Sequence, residues 1–168
     1  MSATDIDIIN VLAGIDPASP IGELRSNRVE TYRFAQGSYL ALLEPPDPAG
    51  VSRLERDAIG LRVATLERSQ VLIDFHSERL AALGTTQSLI AAVVDFPEGF
   101  EGDDRLRAIL KHVDLLTCSS RNGSPGAIAN LKAAGLTNQD IVTVSQLIAY
   151  LSYEIRVIAT LNALKGAA

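Results

Sequence analysis

Apolar residues recur along this chain at three- and four-residue intervals, whereas alternating β-branched and aromatic runs bounded by tight turns hardly occur. The pattern predicts an all-α protein. Near the start, Ile6, Ile9 and Leu12 share one face, Gly14 can stop that helix, and Ser19-Pro20 offers an N-cap followed by proline at the first helical position. A second stretch, about Val29 to Leu43, places Tyr32, Ala35, Tyr39 and Leu42 on one side and ends at the proline-rich connector Glu44-Pro45-Pro46-Asp47-Pro48. Ser52 with Glu55 three residues on is a capping box, and Ile59, Val63 and Leu66 mark the buried face of the helix it opens.

A helix from about Gln70 to Leu83 follows almost without connection and stops at Gly84. Thr86 caps the next, through Val94, before a loop from Asp95 to Gly102 that carries Phe96 and Phe100. Leu106, Ile109, Leu110, Val113 and Leu116 define a helix that runs out at Ser119 to Gly123; Ser124 and Pro125 start another, with Gly135 at its end. Thr137 with Asp140 opens a long last helix, about Asn138 to Leu164. Its apolar positions (Ile141, Val144, Leu147, Ile148, Leu151, Ile155, Ile158, Leu161) span so broad an arc that burial on more than one side, in part against another subunit, is expected. No fixed-period repeat is present. The reading is an N-terminal helical arm, residues 1–28, on a helical domain, residues 29–168, forming one compact unit.

The totals change this picture mainly by exclusion. A chain of 168 residues, 47% hydrophobic and 21% charged, can bury roughly 70% of its unfolded surface. A formal net charge of −5 disfavours nucleic acid, whose phosphates demand a basic face. Met1 to Asn10 carries no basic region followed by an apolar core, and no stretch reads as a membrane span, so the expectation is a soluble cytoplasmic protein that binds neither membrane nor nucleic acid. With Cys118 alone, no disulfide can close within one chain. No cofactor is expected, and His76 and His112, widely separated and without an acidic cluster, do not amount to a metal site.

One segment carries a resemblance. Asp57-Ala58-Ile59-Gly60-Leu61-Arg62-Val63-Ala64-Thr65-Leu66-Glu67-Arg68 leads into Ser69-Gln70-Val71-Leu72-Ile73-Asp74-Phe75-His76, and Ala133-Ala134-Gly135-Leu136-Thr137-Asn138-Gln139-Asp140-Ile141 precedes the long apolar helix. Over about residues 29–164 the chain resembles the AhpD-like superfamily, which includes carboxymuconolactone decarboxylases, and in particular its peroxidase-related branch. The resemblance implies an AhpD-like helical bundle and a homo-oligomer. The superfamily signature is a glutamate on one helix and C-x-x-C-x-x-x-H at the start of the next. In that register His76 matches the histidine, Ser69 and Leu72 hold the two cysteine positions, and Asp57 stands for the glutamate. Neither a hydroxyl nor an isobutyl group can be oxidised to a disulfide, so the dithiol step is lost. Cys118 matches neither position. On the last helix Tyr150, Tyr153 and Arg156 match a superfamily pattern whose asparagine positions hold Ser152 and Ile155 here.

Several chemistries remain open. Ser69, Leu72 and His76 share a helix face, with Asp57 approaching from the preceding helix; Ser69, His76 and Asp57 are the material of nucleophilic catalysis, though no nucleophile elbow is present. Proton transfer to a small-molecule ligand by His76, oriented by Asp57, is a second reading. Against both stands a hydrogen-bonded structural histidine and an Asp57 that merely favours the first turn of its helix. His112 reads as a surface or interface residue, and Cys118 either as a small buried hydrophobe or as a thiol retaining alkylhydroperoxidase-type antioxidant activity. Tyr32, Tyr39, Phe96 and Phe100 line a pocket or pack a core. Two classes of function follow: an acid–base enzyme of unknown substrate, or a non-catalytic binding and assembly protein.

Overall fold

The computed structural model describes residues 7–167, so Ile6 lies outside the described residues. Nine α-helices occur among them: α1 (Ile8–Ala13), α2 (Pro20–Ser26), α3 (Val29–Leu42), α4 (Arg53–Leu66), α5 (Gln70–Ala82), α6 (Gln87–Val94), α7 (Asp104–Ser119), α8 (Pro125–Ala133) and α9 (Asn138–Ala167). A 3₁₀ turn at Ser120–Asn122 links α7 to α8, and no strand occurs among the described residues. Helix ends follow local chemistry. The Ser52 hydroxyl accepts from the Glu55 amide at 3.2 Å while Glu55 accepts from the Ser52 amide at 2.7 Å. Gly14, Gly84 and Gly135 take positive φ (58°, 80° and 85°) just past α1, α5 and α8, where a side chain would strain the backbone.

The centre of the bundle is α4, which packs against α5, α6, α7 and α9. Ten of its fourteen residues, Glu55 through Ala64, are buried without interruption. Ile59, Val63 and Ala64 enter a large core with α1, α3, α5, α7, α8 and α9, while Ala58 and Leu61 enter a smaller one with Leu80, Ile90, Val93, Leu106 and Leu110. Phe96 and Phe100 close the smaller core edge to face, ring centres 5.4 Å apart, so the loop aromatics are packing residues. The arm belongs to the core: Ile9 is wholly buried and Ile8, Ala13 and Ile15 nearly so.

Three arginines tie the ends of this arrangement. Arg56, 3% exposed, donates to the carbonyls of Val51 and Pro48, each at 2.9 Å, and to that of Leu42, which pins the proline-rich connector to α4. Arg62 makes a two-pronged bond to Asp114 on α7 (2.7 and 3.0 Å) and reaches the Val94 carbonyl at 2.8 Å. Arg105 joins Glu55 at 2.6 Å to the carbonyls of Gly50 and Gly135.

Three expectations are corrected. Asp57 is the fifth residue of α4 rather than part of its first turn, so the helix dipole does not account for it. His112 is buried, 6% exposed, with Nε2 3.1 Å from the Ser145 hydroxyl of α9, because α7 turns this position inward. Residues Asn138–Gly166 are long and apolar enough by length and composition to cross a membrane, contrary to the sequence reading; half of the most apolar window is covered by the other helices. Replacing Arg56 with Met should remove the guanidinium donor from three carbonyls, that of Val51 buried, and lower unfolding stability by roughly 2–4 kcal/mol in urea denaturation.

Candidate functional site

Asp57 and His76 come together. α4 and α5 form an antiparallel pair, and the turn between them sets the register: Arg68 takes a positive φ of 59° and the Ser69 amide donates back to the Ala64 carbonyl at 2.9 Å. His76 is entirely buried and Asp57 is 1% exposed, with His76 Nδ1 3.0 Å from Asp57 Oδ1. The same oxygen accepts from Arg79 Nε at 2.6 Å. Arg79 continues to Glu44 through Nη1, Glu44 accepts from the Tyr39 hydroxyl at 3.3 Å, and Arg53 approaches Glu44 at 3.6 Å. A line of polar groups thus runs Tyr39, Glu44, Arg79, Asp57, His76, through α3, the connector, α5 and α4.

The electrostatics follow from burial and this pairing. Burial pushes the His76 pKa below the ordinary histidine value; the Asp57 hydrogen bond and charge oppose the shift, and the Arg79 charge adds to it. Burial also opposes the Arg79 charge, but Asp57 and Glu44 outweigh it and hold the guanidinium pKa above its usual value. The Tyr39 hydroxyl is raised, first by burial and then by Glu44, with Arg79 pulling the other way. His76 is therefore the neutral tautomer with its proton on Nδ1, donated to Asp57. Nε2 keeps a bare lone pair, buried and without a hydrogen-bond partner among the described residues.

Access to that lone pair is closed. A Cβ on Gly60 would lie 2.3 Å from His76 Cε1 and 2.4 Å from Nε2, so the ring fills the volume of the missing side chain. The Phe75 ring meets the imidazole edge-on, centres 5.1 Å apart. Asp57 and Arg79, with Glu44 and Arg53, border a small hollow of about 170 Å³.

Ser69 is placed elsewhere. It is the N-cap of α5, its hydroxyl makes no capping bond, and it borders a different hollow of about 220 Å³ with Glu67, Arg68 and Ile158. Seven residues separate it from His76, ~10 Å of helix rise, and no hydrogen bond joins them among the described residues. Leu72, between them on α5, is fully buried core. Cys118 is exposed in the last turn of α7. No group of three or more His, Cys, Asp or Glu able to hold a metal occurs among the described residues.

The sequence pattern marks Tyr39 as a pocket or core residue without linking it to His76, and does not single out Arg79, Glu44 or Gly60 as site residues. Arg79 carried a usable signal, because three residues after His76 it shares that helix face. On α9, Tyr150 donates to Glu154 at 3.0 Å, and Ser152 and Arg156 both engage Glu67. Tyr150 and Tyr153 line a groove of about 620 Å³ between α3 and α9, which also carries Phe34, Ala35 and Gln146.

Comparison with solved structures identifies this backbone. An AhpD-core, peroxidase-related protein of uncharacterised function from Ralstonia eutropha superimposes with a TM-score of 0.72 at 18% identity, covering 90% of this chain and 78% of that one. An uncharacterised peroxidase-related protein from Silicibacter sp. gives 0.71 at 20% identity, covering 79% of this chain and 68% of that one. A protein of unknown function from Agrobacterium tumefaciens, assigned to AhpD-type antioxidant defence, gives 0.69 at 18% identity, over 81% of this chain and 90% of that one. No protein-family profile matches the sequence, and no curated protein does. The chain has the AhpD-like all-α fold of these peroxidase-related proteins.

Two outcomes test the geometry. Gly60→Ala should displace the His76 ring and lower stability by roughly 2–3 kcal/mol, with much of the loss absent when His76 is already Ala, a coupling that a double-mutant cycle in urea measures. A depressed histidine binds its proton more weakly folded than unfolded, so His76 itself contributes a loss of stability as pH falls below the ordinary value of 6.5, which the difference between the parent and His76→Gln isolates. That acid-side loss, followed by thermal denaturation between pH 7 and 5, should shrink in His76→Gln.

Proposed function

We propose that this protein is a binding and assembly module on the AhpD-like fold, in which the polar line ending at His76 is an internal tie rather than a reaction centre. One observation carries the reading: the His76 ring is wholly buried and seated on Gly60, while the position two turns before it that would bear the first thiol faces a separate hollow. Within one chain there is no second sulfur to close a disulfide.

The surface supports a second copy of the chain as partner. The α3/α9 groove continues, through the shared residues Thr31 and Tyr153, into an apolar hollow of about 380 Å³ that includes Ile21, Leu24, Leu161 and Leu164. Leu24 (65%), Phe34 (61%) and Leu164 (49%) stand exposed there. Of the charged residues only Arg25 and Arg28 line this surface, and Arg25 is already paired with Asp7.

A second reading, acid–base chemistry on a small molecule, is favoured by the unpartnered Nε2 and the tautomer that Asp57 imposes. Reagent access separates the two. Diethyl pyrocarbonate, read out peptide by peptide, should leave His76 unmodified in the native protein; rapid modification there would favour the enzyme.

The mass in solution should exceed one chain by light scattering, and Phe34→Glu combined with Leu164→Glu should reduce it to the monomer; a monomeric parent overturns the assembly reading. Peroxide consumption with an external thiol should be negligible and equal in the parent and Cys118→Ser. Turnover abolished by that substitution would restore a peroxidase role.

A further inference from the structure

Glu154 is the buried acid that the site at His76 does not use. It lies on α9 where α1 and α3 pack, is 1% exposed, and has one hydrogen-bond donor, the neutral Tyr150 hydroxyl, with no cationic partner among the described residues. The charge it meets across the arm interface is another acid. Asp7 caps α1 through the Ile9 amide at 3.0 Å, is 4% exposed, and holds Arg25 of α2 in an ion pair. α3 contributes Tyr39, the end of the line that leads through Glu44 and Arg79 to His76. On the opposite side of α9, Glu67 from α4 is occupied by Ser152 and Arg156; His112 of α7 reaches α9 at Ser145, more than two turns earlier.

Besides the buried side chains of Ile8, Ile9, Ala13 and nearby Ile15, α1 is held by one hydrogen bond near each end. The Gln36 side-chain oxygen accepts from the Ile8 amide at 2.9 Å, and Lys165 of α9 donates to the Ala13 carbonyl. Between these points α1 covers α3, α5 and α9.

We propose that the arm, residues 7–26, is a lid over this polar line and that the protonation state of Glu154 sets whether it stays closed. With a proton, Glu154 is a neutral group bonded to Tyr150. Without it, a second negative charge is sealed against Asp7, and moving the arm away both removes Asp7 and admits water.

Burial, reinforced by the Asp7 charge and opposed by the Tyr150 hydrogen bond, raises Glu154 to about 7. The closed form therefore binds the proton more tightly than an open, solvated form with the ordinary value of 4.5, so closure is favoured most below that value and weakens as pH rises to about 7.

Hydrogen–deuterium exchange on the full chain, corrected for the intrinsic pH dependence of exchange, tests the lid. Peptides covering residues 8–26 should lose protection by about tenfold per pH unit between pH 5 and 7 and then level off, while peptides from α4 do not follow. Glu154→Gln should abolish the dependence. Tyr150→Phe removes the donor that stabilises the ionised form, so it should carry the transition to higher pH, and it decides the matter if Glu154→Gln fails to fold. Constant arm protection in the parent, an unchanged pH dependence in Glu154→Gln, or an unmoved or lowered transition in Tyr150→Phe would overturn the proposal.

Discussion

A single carboxylate oxygen, Asp57 Oδ1, receives the imidazole Nδ1–H of His76 and the Nε–H of Arg79 on a side chain that is itself almost wholly buried. Desolvating a carboxylate is costly, and the cost is met only when strong donors converge on it with good geometry. Both donors come from α5, one turn apart, so the oxygen fixes how far α5 slides along α4. Through Arg79 it also reaches Glu44, which anchors the connector after α3. The orientation of His76, the seating of its ring on Gly60 and the course of the chain into α4 all hang on that one acceptor.

The surrounding fold explains why such a group is tolerated. α4 is enclosed on every side, and an enclosed helix has no polar face to spend on water. Its charged residues are satisfied internally: Arg56 by three carbonyls, Arg62 by Asp114 and Val94, and Glu55 by Arg105 and its own capping box. The guanidinium fork suits this task, because it can bond several acceptors in one plane while remaining charged. Most of the large exposed apolar side chains lie on α2, α3 and α9.

The likeness to peroxidase-related structures at 18–20% identity concerns the backbone. A fold can persist while its chemistry changes, since packing is conserved by shape and catalysis by a few atoms. Here Leu72 fills the core, leaving no polar group to satisfy, and Ser69 borders a separate surface hollow. His76 is held by Asp57, with Gly60 and Phe75 against its ring.

Local chemistry made much of the fold legible. The Ser52–Glu55 box, the Ser19-Pro20 and Ser124-Pro125 starts, and the Gly14, Gly84 and Gly135 stops operate over three or four residues, so the chain alone determined the helices and their order. The pairing of His76 with Asp57 came from the family resemblance, and the antiparallel α4 and α5 bring the two together. Tertiary structure decided the rest. Arg79 meets Glu44 across 35 residues, His112 meets Ser145 across 33, and Glu154 finds Asp7 from the far end of the chain. Whether His76 opens to a ligand or closes on Gly60 depends on the distance between two helices, which no periodicity encodes. Burial, and with it the charge state of Glu154 and His76, is a property of what the other helices cover; it exists only once they have packed.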